Sequence, residues 1–291
     1  MDIVILYNGL GNQMSQYAFY LQKRHQNKST YLLSLCQVHN GFELENIFNI
    51  AYQEKLFIKP LYLLFRILKI EKLKVISTPL KFLLKSIGFN VVSENFNYNF
   101  NENFLKPSEA ITFYEGGWHS EKYFIDVKDS VIDSFRFTEP SDQENILLAK
   151  DILNSNSVCI HVRRGDYLDA TNINMFGGVC TLDYFNKAID YIKARIPNAH
   201  FFIFSNDIDW VKINLNIERV TYVTANKKAN SWKDMYLMSI CKHNIISNST
   251  FSWWGAWLNK NEKKIVVCPN HFLKNDIDTD VYPSSWIRIK T

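Results

Sequence analysis

Cysteine is scarce in this sequence and follows no recognisable pattern. The 291 residues contain five cysteines, an odd number scattered along the chain with no CxxC pair. Disulfide frameworks and zinc sites both need paired or regularly spaced cysteines, so the sequence indicates neither of them. We therefore expect free thiols and a reducing, cytoplasmic compartment.

Long apolar runs, internal repeats and low-complexity tracts are also missing. No run approaches the roughly 18 residues that a membrane-spanning helix needs. The first residues, Met1 to Leu6, lack the basic start of a signal peptide and turn polar at Tyr7, so they predict a buried strand instead. With 47% hydrophobic residues, the chain has enough apolar side chains for one large or two modest globular domains.

Net charge is low, but it is unevenly distributed. The formal charge of +4 is too small to indicate nucleic-acid binding. From Lys55 to Ile87, however, eight basic residues face a single acid, Glu71, and apolar residues recur at helical spacing. This stretch predicts two short basic amphipathic helices interrupted near Pro79. Solvated helix faces are the simpler interpretation, and peripheral contact with the inner membrane face or a lipid-linked glycan is the alternative.

The second half of the chain alternates strand-like runs with helical patterns. Strands are predicted at 157–162, 200–204, 219–223, 244–247 and 264–268, and helices at 182–195, 232–242 and 251–259. Strands separated by helices indicate right-handed βαβ units in a parallel sheet, whose ligands bind at the carboxyl ends of the strands. The polar stretch Asn154–Asn156 precedes the first of these strands and predicts a boundary between domains 1–155 and 156–291.

The first half begins with a predicted strand at 3–6, a glycine turn and a helix at 13–23. The glycines of Asn8-Gly9-Leu10-Gly11-Asn12-Gln13 allow close backbone approach, while Asn12 and Gln13 can bind sugar hydroxyls or phosphate. The third glycine of the dinucleotide fingerprint is missing, and no acid ends a second strand about twenty residues later, so NAD binding is disfavoured. Residues 91–104 are aromatic and rich in asparagine, and we predict irregular structure there.

The motif His161-Val162-Arg163-Arg164-Gly165-Asp166 follows directly on a predicted strand. It presents two guanidinium groups, an imidazole and a carboxylate at the carboxyl end of that strand. Arginine binds phosphate oxygens through paired hydrogen bonds and can compensate the charge of a departing diphosphate. A structural ion pair between an arginine and Asp166 is the alternative interpretation.

The segment Ser247-Asn248-Ser249-Thr250-Phe251 lies between another predicted strand and a helix. Hydroxyl and main-chain N–H groups converge at such a helix N-terminus, which favours anions. Simple capping of the helix by Ser249 or Thr250 explains the same residues without a ligand, and the two interpretations are compatible.

Asp207 and Asp209 form a DxD pattern after a predicted strand, which is how many enzymes that use nucleotide sugars hold a divalent metal. Carboxylates two residues apart at a helix start point in different directions, and Asp207 can instead cap the helix that contains Trp210. Because Arg163 and Arg164 can stabilise a diphosphate by themselves, we expect no metal ion in this site.

Four segments together resemble the α-1,2-fucosyltransferases that act on galactosides. They are residues 9–14 (GLGNQM), 117–124 (GWHSEKYF), 161–167 (HVRRGDY) and 244–258, which contains SNSTFSWWGAWL. These strings occur in the family's order and span nearly the whole chain. Three residues depart from the usual family strings: Ser15 replaces Phe, Gly117 replaces Tyr and His119 replaces Gln. These departures concern acceptor preference more than the reaction.

The resemblance implies an α/β fold of the GT-B type, with two Rossmann-like domains facing across a cleft. The C-terminal domain, 156–291, would bind GDP-fucose, and the N-terminal domain, 1–155, would bind a galactose-terminated glycan. It also implies transfer of L-fucose to galactose O2 with inversion at the anomeric carbon, without a metal ion or other cofactor.

Residue roles are implied by the same resemblance. Arg163 is expected to contact the diphosphate, and His161, Asp166 and Asn12 are expected to share the catalytic site. The expected donor-binding residues are Gly11, Asn12, Gln13, His161, Arg163, Asp207, Ser249, Thr250 and Phe251. The identity of the general base is open among Asp169, Asp166 and Glu121.

Two other functions are compatible with parts of the sequence. A metal-dependent transferase of another nucleotide sugar would use Asp207 and Asp209. A non-catalytic glycan-binding protein would use the fifteen tyrosines and seven tryptophans as stacking surfaces and would bind glycans without affinity for GDP. The diarginine motif favours the metal-independent transferase, because a lectin-like site does not need it.

Overall fold

The chain forms two compact units in the computed structural model, Met1–Arg136 and Phe137–Thr291. The structure describes residues 1–37, 39–52, 55–56, 58, 60, 63, 83, 86, 88–94, 97–108, 110–170, 172–274 and 278–291, without the side chains of residues 166 and 168. The basic helices predicted between 55 and 87 fall almost entirely outside these residues. Within the described part, no helix is both long enough and apolar enough to cross a membrane.

The first unit is built on a four-stranded parallel sheet with the strand order β2-β1-β4-β3. Its strands are β1 (Asp2–Leu6), β2 (Thr30–Ser34), β3 (Phe89–Ser93) and β4 (Ile111–Glu115). The helices described in this unit are α1 (Leu10–Gln26), α2 (Glu43–Phe48) and α3 (Lys128–Ser134), with 3₁₀ turns at Glu102–Phe104, Glu121–Tyr123 and Ile125–Val127. Every residue of β1 is buried, because this strand has a neighbour on both sides.

An aromatic cluster packs α1 against the segment that follows β4. Phe19 of α1 stacks on Trp118 with ring centroids 4.1 Å apart, and Tyr123 meets both rings edge to face. All three side chains are completely buried. Since a buried aromatic side chain removes on the order of 150–250 Å² from water, much of the GWHSEKYF segment serves to build the core of this unit.

The second unit contains a six-stranded parallel sheet with the order β10-β9-β8-β5-β6-β7. Its strands are β5 (Asn156–Val162), β6 (Ala199–Ser205), β7 (Val220–Val223), β8 (His243–Ile245), β9 (Val266–Pro269) and β10 (Ile287–Ile289). Its helices are α4 (Gln143–Asn154), α5 (Leu182–Lys193), α6 (Ile208–Asn214), α7 (Trp232–Ile240) and α8 (Thr250–Trp257). The core lies on both faces of β5 and β6, whose residues are almost all buried.

The predicted α/β class is confirmed, since each unit is a parallel sheet of the Rossmann type. The strands and helices predicted in the second half are all present, with their ends shifted by a few residues. The prediction of irregular structure at 91–104 was wrong in its first part, where β3 pairs with β4. Because β3 lies at the sheet edge and is only half-buried, it lacks the continuous apolar run that marks a buried parallel strand.

The structure places the boundary between the units after Arg136, earlier in the chain than the predicted polar stretch. Helix α4 belongs to the second unit, because Ile152 is completely buried there and shares a core cluster with Phe202 of β6. Lys233 of α7 donates to Asp142, the N-cap of α4, at 2.8 Å. A polar turn before a strand resembles a linker in sequence even when the preceding helix packs on that strand.

In each sheet the strand order reverses at one point. In the second unit β6 and β7 lie on one side of β5, and β8, β9 and β10 follow on the other side. In the first unit β2 and β4 lie on opposite sides of β1. Such a reversal opens a crevice outside the carboxyl ends of the two central strands, where the ligands of open α/β sheets bind. The expected ligand crevices therefore lie at the ends of β5 and β8 and at the ends of β1 and β4.

Candidate active site

His161 lies near the carboxyl end of β5 and joins this strand to the segment after β8. Its Nδ1 lies 2.9 Å from the hydroxyl oxygen of Ser247, and its ring lies near that of Phe251, with centroids 6.0 Å apart. Burial, reinforced by the positive charge of Arg163, lowers the pKa of His161 to about 3. His161 is therefore neutral near pH 7, so it can take part in hydrogen bonds but contributes no positive charge.

Arg163 supplies a half-buried guanidinium group to the same end of the sheet. Its Cζ lies 5.7 Å from the centre of the Tyr167 ring, within the range of a cation–π contact. The Tyr167 hydroxyl donates to the main-chain oxygen of Asn248 at 3.0 Å. These contacts, together with the bond between His161 and Ser247, bring the arginine motif and the segment before α8 to one edge of the sheet.

Arg164 is held by contacts within the second unit. Its Nε donates to Asp207 Oδ2 at 3.1 Å, and its Cζ lies 4.1 Å from the centre of the Trp210 ring. Asp207 Oδ1 accepts the main-chain N–H of Trp210 at 3.2 Å, so Asp207 caps α6 as the sequence indicates. Both oxygens of Asp207 thus have protein partners, and its contact with the donor stays a prediction. The side chain of Asp166, which is expected in the catalytic site and has an ion pair with an arginine as its alternative interpretation, lies outside the described residues.

Gly165 is required by the close approach of Asn206. A Cβ atom at position 165 would clash with Asn206 Nδ2. Asn206 Oδ1 accepts the main-chain N–H of Arg164 at 3.0 Å and so fixes the chain as it leaves β5. The glycine of the arginine motif therefore allows the loop after β6 to contact the loop after β5.

The N-terminus of α8 follows β8 after a short segment. Ser249 is the N-cap residue and has extended dihedral angles (φ −132°, ψ 130°), but its side chain makes no capping hydrogen bond. Thr250 and Phe251 begin the helix, and both are partly exposed. The Ser249 side chain therefore does not cap α8. The first main-chain N–H groups of this helix keep their capacity to bind an anion.

Asn248 is a buried residue beside the candidate site that the sequence does not single out. Its Nδ2 donates to the main-chain oxygens of Phe176 and Phe272, both at 3.1 Å. Its Oδ1 accepts from the Cys180 thiol at 3.5 Å. Asn248 thus ties three distant segments together beside α8. No local pattern could reveal this role, because the partners are distant in sequence and two of them are main-chain atoms.

Close packing anchors α8 against α7. A Cβ atom at position 255 would lie 2.9 Å from Met238 Cβ, so Gly255 lets the two helices approach. Three tryptophans of α8 are buried: Trp253, Trp254 and Trp257. The string SNSTFSWWGAWL therefore combines a helix start at the crevice with a closely packed helix face that holds it in place.

In the first unit, the GLGNQ turn connects β1 to α1. Gln13 is completely buried, and its Nε2 donates to the main-chain oxygens of Asn8 and Gly41 at 2.8 Å. Its Oε1 accepts the main-chain N–H of Glu43 at 3.0 Å. The side-chain amide of Gln13 is therefore used to hold the turn and the start of α2.

Gly11 and Asn12 lie in the first turn of α1. Gly11 is buried, and its main-chain oxygen accepts from the Ser15 hydroxyl at 3.2 Å. Asn12 is half-buried, and the described part of the chain offers its side chain no hydrogen-bond partner. Of the donor-binding residues predicted in this turn, Asn12 is the one whose side chain can contact a ligand.

The two carboxylates of the DxD pattern have different surroundings. Asp207 pairs with Arg164, whereas Asp209 is exposed in the first turn of α6. Across the residues that the structure describes, no three side chains among His, Cys, Asp and Glu come together as a metal site.

The sequence profile of Glycosyl transferase family 11 matches residues 3–290. The chain belongs to glycosyl transferase family 11. An alpha-1,2-colitosyltransferase of Escherichia coli is 32% identical over 309 aligned positions, which cover 100% of both chains. Human galactoside alpha-(1,2)-fucosyltransferase 1 is 36% identical over 103 positions, 35% of this chain and 28% of its own length. A mutant of Arabidopsis thaliana FUT1, solved in complex with GDP, is similar with a TM-score of 0.52 at 13% identity, over 93% of this chain and 70% of that one.

Membership of family 11 confirms the resemblance found in the four sequence strings and makes the chain a glycosyltransferase. Of the second-unit residues named for the site, His161, Arg163, Ser249, Thr250 and Phe251 gather around the carboxyl ends of β5 and β8. Asp207 lies after β6, and the side chain of Asp166 is not described. Gly11, Asn12 and Gln13 belong to the first unit.

A buried carboxylate in the first unit of this family 11 protein escaped the sequence interpretation. Glu94 directly follows β3, and its Oε2 accepts the main-chain N–H groups of Gly117 at 2.7 Å and Trp118 at 2.9 Å. Its other oxygen, Oε1, is buried without a hydrogen-bond partner in the described structure. Burial raises the pKa of Glu94 to about 7. Its position at a strand end is the signal that could have revealed it, had β3 been predicted.

The three carboxylates named as general bases have different environments. Asp169 is exposed in the loop after β5, and Glu121 is half-buried in a 3₁₀ turn of the first unit. The side chain of Asp166 is not among those described. The assignment of a general base in this family 11 protein therefore stays a prediction.

Proposed function

We propose that this family 11 enzyme transfers L-fucose from GDP-β-L-fucose to O2 of a terminal galactose, in α-1,2 linkage. The observation that carries the proposal is the meeting of the Arg163 segment with the segment before α8 at the switch point of the second sheet. A permanent positive charge beside the N–H groups of a helix start suits a diphosphate. The sugar and its acceptor are suggested by the human relative, a galactoside alpha-(1,2)-fucosyltransferase.

In the proposed reaction, the bond between fucose C1 and the β-phosphate oxygen breaks, and its electron pair leaves with GDP. Galactose O2 attacks C1 from the opposite face and gives up its proton to a general base, for which Asp169, Asp166 and Glu121 are the candidates, so the β-linked donor yields an α-linked product. Arg163 stabilises the negative charge that develops on the departing diphosphate, and the first N–H groups of α8 assist. His161 is neutral and supports the site through hydrogen bonding alone.

We propose further that the transfer needs no metal ion or other cofactor. In metal-dependent enzymes the ion compensates the diphosphate charge, a role that the proposal gives to Arg163. The second unit would bind the nucleotide sugar, and the first unit would bind the galactose-terminated glycan. Peripheral contact of residues 55–87 with a membrane or a lipid-linked glycan, and a cytoplasmic location, stay predictions.

A colitosyl donor is the second candidate, because the Escherichia coli alpha-1,2-colitosyltransferase matches the chain over its full length. Colitose differs from L-fucose in lacking the 3-hydroxyl group, so a GDP-activated form of either sugar would present the same diphosphate to Arg163. The choice between them depends on contacts with the sugar ring. Parallel assays with the two GDP-sugars distinguish the candidates.

Replacement of Arg163 by alanine tests the proposal. We expect kcat for transfer to a β-galactoside to fall at least about a hundredfold, the scale of losing one group that stabilises transition-state charge. GDP release measures the rate, and linkage analysis of the product identifies the hydroxyl group that accepts the sugar. Arg195→Ala is the matched control, because Arg195 is an exposed arginine of the same unit that packs on Tyr191, and it should retain wild-type activity.

Two results would refute the proposal. Turnover like that of the wild type in a folded Arg163→Ala protein would show that this guanidinium does not stabilise the leaving group. A product linked through a hydroxyl group other than galactose O2 would overturn the assignment of the acceptor position.

A further inference from the structure

A second crevice lies in the first unit, at the carboxyl ends of β1 and β4. Gln16 of α1 spans these ends, since its Oε1 accepts the Tyr7 N–H at 2.9 Å and its Nε2 donates to the main-chain oxygen of Gly116 at 3.1 Å. Gln16 is completely buried and so holds the two strand ends in a fixed arrangement. A ligand of an open parallel sheet binds at such a point.

The side chains around this crevice suit a saccharide. Tyr7 and Tyr98 are half-buried aromatic side chains that can pack on a sugar ring, and the Glu94 carboxylate is buried close to them. Burial raises the pKa of both tyrosines. The negative charges of Glu115 and Glu94 raise the pKa of Tyr7 further, and that of Glu94 raises the pKa of Tyr98. Glu94 accepts the main-chain N–H groups of Gly117 and Trp118, and Tyr98 packs on His119, so both side chains lie beside the segment that follows β4.

His119 lies beside this group, with its ring centroid 5.0 Å from that of Tyr98. Its Nδ1 lies 3.2 Å from Ser15 Oγ, and the Ser15 hydroxyl donates to the main-chain oxygen of Gly11. A Cβ atom at position 117 would clash with His119 Nε2. Any side chain at position 117 therefore requires the imidazole to shift.

Ser15, Gly117 and His119 thus depend on one another. A side chain at position 117 would collide with the imidazole, and a residue without a hydroxyl group at position 15 would remove its hydrogen-bond partner. The three residues therefore form one structural feature.

We propose that Ser15, Gly117 and His119 determine which galactose-terminated saccharide the enzyme accepts, by setting the position of the Tyr98 ring at the first-unit crevice. They act as positioning residues, because His119 is only 4% exposed and cannot cover a sugar itself. The inference rests on the proposed function, since it takes the first unit to bind the acceptor.

Gly117→Ala tests the proposal by placing a methyl group against the imidazole. We expect the KM values for lactose and N-acetyllactosamine to rise about tenfold and to change in ratio, with kcat and the KM for GDP-fucose within about twofold of wild type. Adding His119→Gln should restore part of the acceptor KM, because glutamine can move away from the methyl group. Val131→Ala is the matched control. Val131 is buried in α3, so its replacement should lower the stability of the same unit at a position away from the crevice.

Titration of each protein with the two saccharides by NMR, without donor, adds a measurement that does not depend on transfer. The proposal is overturned if Gly117→Ala matches Val131→Ala in stability, acceptor KM and saccharide binding, because the three residues then serve packing alone. A wild type that binds the saccharides but transfers no sugar to them would instead refute the proposed function, and altered binding by Gly117→Ala would still support this inference.

Discussion

Burial decides the chemistry of single residues in both units. A histidine beside two arginines suggests a third cation, yet burial lowers the pKa of His161 and of His119 to about 3. Each neutral ring instead places Nδ1 within hydrogen-bond distance of a serine hydroxyl, Ser247 for His161 and Ser15 for His119. Both histidines therefore fix a strand end to a neighbouring segment through a hydrogen bond, and the positive charge for a nucleotide must come from arginine.

Replacing Glu94 by glutamine should change how stability depends on pH. Burial raises the pKa of Glu94 from 4.5 to about 7, so between these values the native state holds a proton that the unfolded chain releases. The stabilisation is complete below pH 4.5 and is lost as the pH rises to 7. One pKa unit corresponds to about 1.4 kcal/mol. Between about pH 5 and pH 8, the free energy of unfolding of the wild type should therefore fall by up to about 3 kcal/mol relative to that of the variant.

Urea unfolding of the wild type and Glu94→Gln at both pH values measures this difference. Glutamine keeps an oxygen that can accept the N–H groups of Gly117 and Trp118, so the comparison isolates ionisation. His119 acts in the opposite sense, because its lowered pKa stabilises the fold above pH 6.5 and the effect is lost on acidification. Because His119 is present in both proteins, its effect cancels in the difference between their free energies of unfolding. A difference that does not vary with pH would show that Glu94 ionises as it does in the unfolded chain.

At the scale of elements, the sequence predicted what depends on local pattern. Strands buried on both faces are continuous apolar runs, so β5 and β6 were predicted, whereas the half-exposed edge strand β3 was not. Contacts between elements could be identified only from the structure. Parallel pairing sets Val162 beside Ser205, and this register brings Arg164 to Asp207, while the sequence alone pointed to the nearby Asp166.

The segment that starts α8 should lose its position when Asn248 is replaced by alanine. The change removes the hydrogen bonds to Phe176, Phe272 and Cys180, and it leaves the buried main-chain oxygen of Phe272 and the partly buried one of Phe176 without this donor. We expect the free energy of unfolding to fall by about 2 kcal/mol or more. GDP binding should weaken about tenfold, equivalent to about 1.4 kcal/mol, because the helix start is no longer held at the crevice.

Asn259→Ala is the matched control for this prediction. Asn259 lies just after α8 and donates to the main-chain oxygen of Cys241 at 2.7 Å and to Asn244 at 2.8 Å. Its loss should destabilise the unit similarly but leave GDP affinity unchanged. Urea unfolding and calorimetric titration with GDP measure both quantities. Equal affinities in the two variants would contradict a positioning role for Asn248.

At the scale of the whole molecule, both units have the same kind of sheet reversal, but different side chains lie at the two crevices. Each unit has a parallel sheet whose order reverses beside its first strand, and each crevice is bordered by a glycine-containing turn. The second unit brings Arg163 and the start of α8 to its crevice, while the first brings Tyr98 and Glu94. Positive charge suits an anionic nucleotide, and tyrosines with a carboxylate suit a neutral sugar. The division of labour proposed for the two units follows from these residues.

This division predicts where GDP stabilises the protein. A ligand stabilises the state that binds it, by about 2.7 kcal/mol when its concentration is 100 times Kd. Hydrogen exchange with GDP present should therefore slow most in residues 161–167 and 247–253 of the second unit, with little change in β2 of the first unit. The protection should persist in excess EDTA and should be much weaker in Arg163→Ala. Protection confined to residues 1–136, or lost on chelation, would contradict a donor site in which arginine takes the place of a metal ion.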